Sequence, residues 1–117
     1  MEILLKRIYE NEDISDGYRI LADKLYPRGI KKENLHIDLW AKDIAPSDEV
    51  RKFFHQTNNF EDFYKKYTEE LLVNENFSLF LEKIKDKNII TLLTAGKDIY
   101  KSQLVVLKDF INKNLSL

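Results

Sequence analysis

The sequence Ile89-Ile90-Thr91-Leu92-Leu93 is apolar at every position but one, and Thr94-Ala95-Gly96-Lys97-Asp98 follows it at once. A short and nearly continuous apolar run predicts a β-strand that is covered on both faces. Gly96 and the charged pair after it predict a turn that leads into a last helix. We therefore expect a buried strand with charged side chains at its carboxyl end.

Two further strands are predicted near the start of the chain. Residues 3–9 are mostly apolar and β-branched, and a polar loop follows them. Residues 18–25 alternate in polarity with a period of two, which puts the charges of Arg19 and Asp23 on one face, where they are either paired or at the rim. The turn Tyr26-Pro27-Arg28-Gly29 ends this strand, because proline makes the residue before it extended and glycine permits a positive φ.

Helical periodicity dominates the second half of the chain. Ser47 is a predicted N-cap for a short helix through Phe54, and Asn58 is a predicted N-cap for a longer one. Residues 31–44 fit either a strand or a helix, and both assignments bury Trp40. The predicted inward stripes are Phe60, Phe63, Tyr64, Tyr67 and Leu71, then Phe77, Phe80, Leu81 and Ile84, and in the last helix Tyr100, Leu104, Leu107 and Ile111.

The order of strand, strand, two or three helices, strand and helix predicts an α/β fold. We expect a small, largely parallel sheet of three or four strands flanked by helices, in a single domain that spans residues 1–117. The strand order is left open, and any parallel crossover is expected to be right-handed.

Composition excludes several classes of protein. With no cysteine, the chain forms neither disulfides nor zinc-thiolate sites, and we expect a cytoplasmic protein. The longest apolar run is far shorter than the roughly 20 residues of a membrane-spanning helix, so no membrane association is expected. A net charge of −1, with no basic stripe that carries interleaved aromatic residues, argues against nucleic acid as a partner. A homo-oligomer is compatible with the sequence, but nothing in it indicates one.

The charges are unevenly distributed along the chain. Residues 1–32 hold 7 basic and 6 acidic side chains, residues 33–82 hold 5 and 11, and residues 83–117 hold 7 and 3. The two charged turns therefore lie in the less acidic segments, which favours an anionic ligand over a cationic one. Because the spacings of the P-loop and of the dinucleotide-binding glycine motif are both absent, no cofactor is predicted.

The candidate site lies at the carboxyl ends of the strands, where parallel sheets bind their ligands. Arg28 is the first candidate, since its planar guanidinium suits a phosphate or a carboxylate. Lys97 stands after Gly96 at a strand-to-helix junction, where free backbone N–H groups attract anions. The predicted ligand-binding set consists of Arg28, Lys97, Gly96, Lys6, Arg7 and Tyr26. The ring of Tyr26 is expected to form an aromatic wall.

Two carboxylates are candidates for acid or base chemistry. A carboxylate on an apolar strand, such as that of Asp23, is expected to have a raised pKa, although pairing with Arg19, Lys6 or Arg7 is the plainer explanation. The simpler role for Asp98 is as the N-cap of the last helix. His36 and His55 lack partners at metal-ligand spacing, so no metal site is predicted. Whether any reaction follows binding is left open.

The alternative is a protein without a ligand. In that case Arg28 pairs internally with Asp23, Asp38 or Asp98, the other charges are also saturated, and the domain acts as a scaffold or an interaction protein. This alternative predicts no pocket and an exposed apolar patch.

Motifs along nearly the whole chain also resemble a known family. The matching stretches are 6–9 (KRIY), 16–21 (DGYRIL), 23–29 (DKLYPRG), 38–40 (DLW), 45–47 (APS), 91–93 (TLL) and 97–98 (KD). In order and spacing they resemble the YeaO-like family of domains of unknown function, number 488 in that series. The resemblance implies a small bacterial or archaeal protein of the cytosol with an α/β fold, and it assigns no activity.

The chain departs from the family pattern at two places. Tyr26 stands where the family usually has tryptophan, which keeps an aromatic wall. Lys101-Ser102 stands where relatives commonly carry a His-Asn pair near the start of the last helix. Any mechanism that needs this histidine as a base or a metal ligand is therefore not available to this chain.

Overall fold

The computed structural model describes residues 1–115, which form four strands, four α-helices and four short 3-10 turns. The strands are β1 (Glu2–Arg7), β2 (Tyr18–Leu21), β3 (Leu39–Trp40) and β4 (Ile89–Thr94). The helices are α1 (Asp48–Thr57), α2 (Phe60–Val73), α3 (Phe77–Ile84) and α4 (Gln103–Leu115). None of these helices is both long enough and apolar enough to cross a membrane.

All four strands run parallel, in the order β1-β4-β2-β3. β4 pairs with β1 on one side and with β2 on the other, and five of its six residues are buried. This placement explains its apolar sequence, because a central strand of a parallel sheet is covered on both faces. The radius of gyration is 13.6 Å, close to the roughly 13 Å expected of one compact domain of this length. The predicted single-domain α/β fold with a parallel sheet is confirmed.

One face of the sheet packs against the helices. Every helix contributes to a single core with the strand residues on that face, and its buried members include Ile3, Ile20, Ile90, Leu92, Val50, Phe63, Tyr67, Phe80, Leu104 and Leu107. Their burial supplies the main stabilising term, at about 25 cal/mol per Å² of apolar surface removed from water.

The other face is covered by an irregular segment instead of a helix. Leu21 and Leu93 form a second, smaller buried cluster there, against which Ile30, Leu35 and Ile37 pack. The prediction of helices flanking the sheet is therefore accurate for one face only. The ambiguous stretch 31–44 contains a two-residue strand and two 3-10 turns, because its polar residues interrupt any longer regular element.

Hydrogen bonds hold this covering segment onto the sheet. Arg19 Nε donates to the carbonyl of His36 at 2.9 Å, and the backbone N–H of Arg19 donates to Asp38 at 2.8 Å. The His36 ring lies between Glu12 (2.8 Å) and Asp38 (2.9 Å), and these hydrogen bonds raise the pKa of His36. The segment is thus fixed in place by charge pairs at its end.

A buried charge network lies on this second face. Asp16 binds both Lys6, at 3.0 Å, and Arg19. Thr91 Oγ1 in β4 donates to the Asp16 carbonyl at 2.6 Å. Burial alone would raise the pKa of Asp16, but hydrogen bonds from the Asp13 N–H, Lys6 and Arg19 outweigh it and hold the pKa below its usual range. The network links β1, β2, β4 and the loop before β2.

Two predicted helix boundaries differ from the observed ones. Ser47 caps α1 as expected, but α2 is capped by Asn59, which accepts from the Asp62 N–H at 3.1 Å. Asn58 instead ends α1 in the left-handed conformation, with φ 51°. Tyr100 does not belong to the inward stripe of α4, because it lies in a 3-10 turn before that helix and is 75% exposed.

Candidate functional site

A cleft of about 1040 Å³ opens at the carboxyl ends of β2 and β4. We call it the strand-end cleft. The loop after β2 (residues 22–28), the loop after β4 (residues 95–98), the start of α4 and one side of α1 line it. The two charged turns singled out in the sequence therefore face each other across one cavity, as the topology of parallel sheets favours.

The charged side chains that line the strand-end cleft are predominantly cationic. Five lysine and arginine side chains line it, against the two carboxylates of Asp23 and Asp98. Four of the five are exposed and form no ion pair within residues 1–115, namely Lys24, Arg28, Lys97 and Lys101. The fifth, Arg51, lies 3.4 Å from Asp48 on the same helix. This local excess of positive charge contrasts with the net charge of −1 for the whole chain.

Arg28 is not the internal clamp that the scaffold alternative requires. Its three proposed partners are engaged elsewhere: Asp38 binds His36, Asp98 caps a 3-10 turn, and Asp23 accepts from the ends of β4 and α4. The neighbouring Gly29 has φ +80°, as the sequence suggested. The turn thus presents the guanidinium to solvent at the edge of the cleft.

Asp23 lies on the floor of the cleft in a dense hydrogen-bond network. Its Oδ1 accepts from Thr94 Oγ1 and from Gln103 Nε2, both at 2.6 Å, and its Oδ2 accepts from the Ala95 N–H at 2.8 Å. Burial raises the pKa of Asp23, although the hydrogen bonds from Thr94 and Ala95 oppose the shift. The expected pairing with Arg19, Lys6 or Arg7 is wrong, because Asp16 takes the first two and backbone carbonyls take the third.

The junction after β4 is less open to anions than its sequence suggested. The Ala95 N–H is taken by Asp23, and the Gly96 N–H donates to Thr94 Oγ1 at 3.1 Å. Asp98 accepts from the N–H groups of Tyr100 and Lys101, so it is an N-cap, but of the 3-10 turn Ile99–Lys101. Any attraction for an anion at this junction therefore comes from side chains such as Lys97 more than from backbone groups.

Lys6 and Arg7 do not line the cleft. Lys6 belongs to the buried network of Asp16 on the opposite face of the sheet. Arg7 donates from its guanidinium to the carbonyls of Gly96 (2.9 Å) and Ala95 (3.2 Å), which positions the loop that carries Lys97. Its part in the site is to hold that loop in place.

Aromatic side chains line both sides of the cleft. Tyr26 and Tyr9 lie on the side of the β2 loop, and Phe54 lies on α1. Trp40 stands behind Tyr26, with ring centroids 5.9 Å apart and the rings at 70°, and its Nε1–H donates to the Asp23 carbonyl at 2.8 Å. The Tyr26 hydroxyl is buried and has no hydrogen-bond partner within the described part of the chain.

Sequence reasoning missed the contribution of α1. Arg51, Phe54, His55 and Asn58 line the cleft, and their spacing of i, i+3, i+4 and i+7 places them on one face of the helix. The same spacing is present in the sequence, but three of the four residues are polar. They therefore form no apolar stripe from which a helix face could be predicted. Gln103, which binds Asp23 from α4, carried no such signal.

Lys101 and Ser102 both line the cleft. Ser102 Oγ accepts from the Leu104 N–H at 3.1 Å at the start of α4, and it donates to the Ile99 carbonyl at 2.8 Å. Across residues 1–115, no three His, Cys, Asp or Glu side chains are placed to hold a metal ion. The cleft thus combines four exposed cations at its edge with the carboxyl group of Asp23 on its floor.

Known proteins are similar to this chain over nearly its full length. A family model described as the inactive DUF488-N3 subclade matches residues 2–117. The uncharacterized protein YeaO of Escherichia coli strain K12 is 42% identical over 112 residues, which cover 95% of this chain and 97% of that protein. Two mycobacterial proteins, Rv3073c of Mycobacterium tuberculosis strain H37Rv and Mb3100c of Mycobacterium bovis, are each 35% identical over 112 residues, covering 94% of this chain and 93% of the relative. No solved structure shows significant similarity.

Proposed function

Since the chain belongs to the YeaO-like family of domains of unknown function, in the subclade described as inactive DUF488-N3, we propose that it binds a small anionic ligand in the strand-end cleft without transforming it. The observation that carries this proposal is the set of four exposed, unpaired cations around one cavity in a chain of net charge −1. Exposed cations contribute little to stability whether or not they are paired, so the support for the proposal is that these four line one cavity.

The chemistry of the cations suggests a phosphate or a carboxylate. A guanidinium binds both groups through two parallel hydrogen bonds, and lysine adds point charge. Arg28 and Lys97 approach the cleft from the two strand ends, so a ligand between them would contact both loops. Lys24 and Lys101 add further positive charge at the rim.

The test is a thermal-shift and calorimetric screen of the wild type against inorganic phosphate, pyrophosphate, sugar phosphates and carboxylates. A ligand at about 100 times its dissociation constant should stabilise the fold by roughly 2.7 kcal/mol. Arg28→Ala should bind about 10-fold to 100-fold more weakly, as expected for the loss of one charge-assisted contact.

Lys52→Ala is the matched control, since Lys52 is an exposed cation on α1 that does not line the cleft. It changes the net charge by the same amount and should bind as the wild type does. If no anion in the screen stabilises the wild type, or if Arg28→Ala binds as tightly as Lys52→Ala, the proposal is wrong.

Proton transfer by Asp23 is the second candidate function. One observation favours it: the carboxyl group with the raised pKa lies on the floor of the same cleft. The description of the subclade as inactive argues against it. Prolonged incubation of the protein with any ligand from the screen, followed by mass spectrometry, would reveal product in the wild type and none in Asp23→Asn if this candidate is correct.

A further inference from the structure

We propose that the ligand of the strand-end cleft carries a planar ring with an N–H donor beside its anionic group, as a nucleoside monophosphate does. This inference rests on the proposed function and narrows it to one class of anion. Three features of the cleft beyond its charge lead to it: fixed aromatic walls, an unused acceptor on the floor, and its size.

The aromatic walls contact neighbouring side chains and backbone groups. Phe54 stacks on Phe63, with ring centroids 4.4 Å apart and the planes at 19°. On the other side, the Tyr9 ring is 47% exposed, with the Arg7 guanidinium 5.0 Å from its centroid and its hydroxyl 3.4 Å from the Arg28 carbonyl. A site for phosphate alone would need no such rings, whereas a planar ligand gains from stacking on them.

Phe54 is the one apolar side chain that α1 contributes to the lining of the cleft. It is only half-buried, and its neighbours on the cleft face of α1 are Arg51, His55 and Asn58, all polar. An apolar ring in this position leaves aromatic surface in contact with solvent when the cleft is empty. A ligand ring placed there would remove that surface from water, in the way that apolar surfaces of ligand pockets usually act.

The Asp23 carboxylate on the floor of the cleft can accept one more hydrogen bond than it does. Each carboxylate oxygen can accept about two hydrogen bonds. Asp23 Oδ1 already accepts two, but within residues 1–115 Oδ2 accepts only the one from the Ala95 N–H. An N–H donor on the ligand ring, such as the exocyclic amino group of adenine or cytosine, would supply the second hydrogen bond to Oδ2. A plain hydrocarbon ring would leave this acceptor unused.

The size of the cavity agrees with a ligand of two parts. Its volume of about 1040 Å³ is at the upper end of the roughly 300–1,000 Å³ found for pockets that hold drug-sized ligands. A single phosphate or small carboxylate would fill little of it. A sugar phosphate with an attached base would reach from the cationic rim to the aromatic walls.

Isothermal titration calorimetry with AMP, CMP, ribose 5-phosphate and inorganic phosphate tests the inference. The wild type should bind at least one nucleotide about 10-fold or more tightly than ribose 5-phosphate, as expected for one stacked base. Phe54→Leu, which keeps an apolar side chain but removes the ring, should weaken nucleotide binding several-fold and leave ribose 5-phosphate unchanged.

Phe53→Leu is the matched control, because Phe53 is on the same helix but does not line the cleft. It should leave all four affinities as in the wild type. Asp23→Asn should reduce the preference for a nucleotide over ribose 5-phosphate. All three variants are checked for folding by circular dichroism before titration.

The outcomes separate the two proposals. If ribose 5-phosphate binds as tightly as every nucleotide, or if Phe54→Leu weakens both equally, the ring inference fails while anion binding stands. A nucleotide that binds Arg28→Ala as tightly as the wild type would overturn the anionic part. If none of the four ligands binds, the ring inference fails, whereas the proposed function fails only if pyrophosphate, the carboxylates and the other sugar phosphates of the screen do not bind either.

Discussion

Gly17 is the glycine of this chain that a larger residue can replace least easily. It has φ +64°, and a Cβ atom built at this position would lie 2.4 Å from the Ile89 carbonyl oxygen. The backbone before β2 therefore passes so close to the start of β4 that only glycine fits. This contact lies next to the first register pair of the two strands, Tyr18 and Ile90.

We expect Gly17→Ala to lower the free energy of unfolding by at least about 2 kcal/mol more than Gly29→Ala does, because overpacking against backbone adds to the strain of a positive φ. Gly29 is the control, since it has φ +80° but no atom within 4 Å of the added Cβ. Urea unfolding of both variants measures the difference. Equal effects would show that the close approach to Ile89 is relieved at little cost.

The contribution of Asp23 to stability changes with pH in the opposite direction from that of the other aspartates with shifted pKa values. Because burial raises its pKa in the folded state, the folded protein binds its proton more tightly than the unfolded chain does. Stability from this group therefore falls as pH rises from the unfolded value of 3.8 through the folded pKa. We expect the difference in stability between wild type and Asp23→Asn to shift in favour of the wild type as pH is lowered through this window.

Chemical denaturation of both proteins at a series of pH values between about 4 and 7 checks this expectation, with the difference between the two curves as the readout. Contributions from other carboxylates cancel in that difference. A constant difference across the series would mean that Asp23 has an ordinary pKa in the folded protein.

At the scale of elements, two adjacent asparagines have different capping roles: one ends α1 and the other begins α2. Asn59 caps α2 through its side chain, whereas Asn58 ends α1 with φ 51°. Asn59→Ala is expected to lower the free energy of unfolding by about 1 kcal/mol, the usual effect of losing an N-cap. Asn58→Gly should be close to neutral, because glycine adopts the left-handed conformation readily.

Thermal or urea unfolding of the two variants distinguishes these roles. A large loss in Asn58→Gly with little loss in Asn59→Ala would instead support Asn58 as the cap of α2. Because α1 carries Arg51, Phe54 and His55 into the cleft, the link between these helices also bears on the geometry of the site.

At the scale of the whole molecule, the Asp16 network joins segments that are far apart in the chain. Asp16 binds Lys6 of β1 and Arg19 of β2, and its carbonyl accepts from Thr91 of β4. Asp16→Asn would leave the buried Arg19 without its charge partner, which we expect to cost roughly 3 to 5 kcal/mol. That loss is a large fraction of the stability of a typical domain, about 5–15 kcal/mol.

Asp13→Asn serves as the control, since the exposed Asp13 caps the same loop and asparagine caps equally well. It should change stability by no more than about 0.5 kcal/mol. The lowered pKa of Asp16 also means that its contribution is complete above pH 3.8 and is lost as pH falls through the folded value. A small effect of Asp16→Asn at pH 7 would show that the network is relaxed by water or by rearrangement of Arg19.

The sequence by itself determined the class of fold and most of its elements. Apolar periodicity located β4, α2 and α3, and proline and glycine located the turn at Arg28, because these signals depend only on neighbouring residues. It also predicted that the two charged turns lie close together, and both line one cleft, since parallel strands bring their carboxyl ends to the same edge of the sheet. The predicted family membership was confirmed over residues 2–117.

Only the tertiary structure decided which charges are free and which are paired. Lys6 and Arg28 are both cations near a strand end in the sequence, yet Lys6 is bound to Asp16 on one face while Arg28 stands unpaired at the cleft. Likewise, Asp23 binds Thr94 and Gln103, which are distant in the chain. Such pairings depend on strand order and on side-chain direction, and the sequence pattern specifies neither. The physical reason is that long-range contacts are set by the packing of the whole chain.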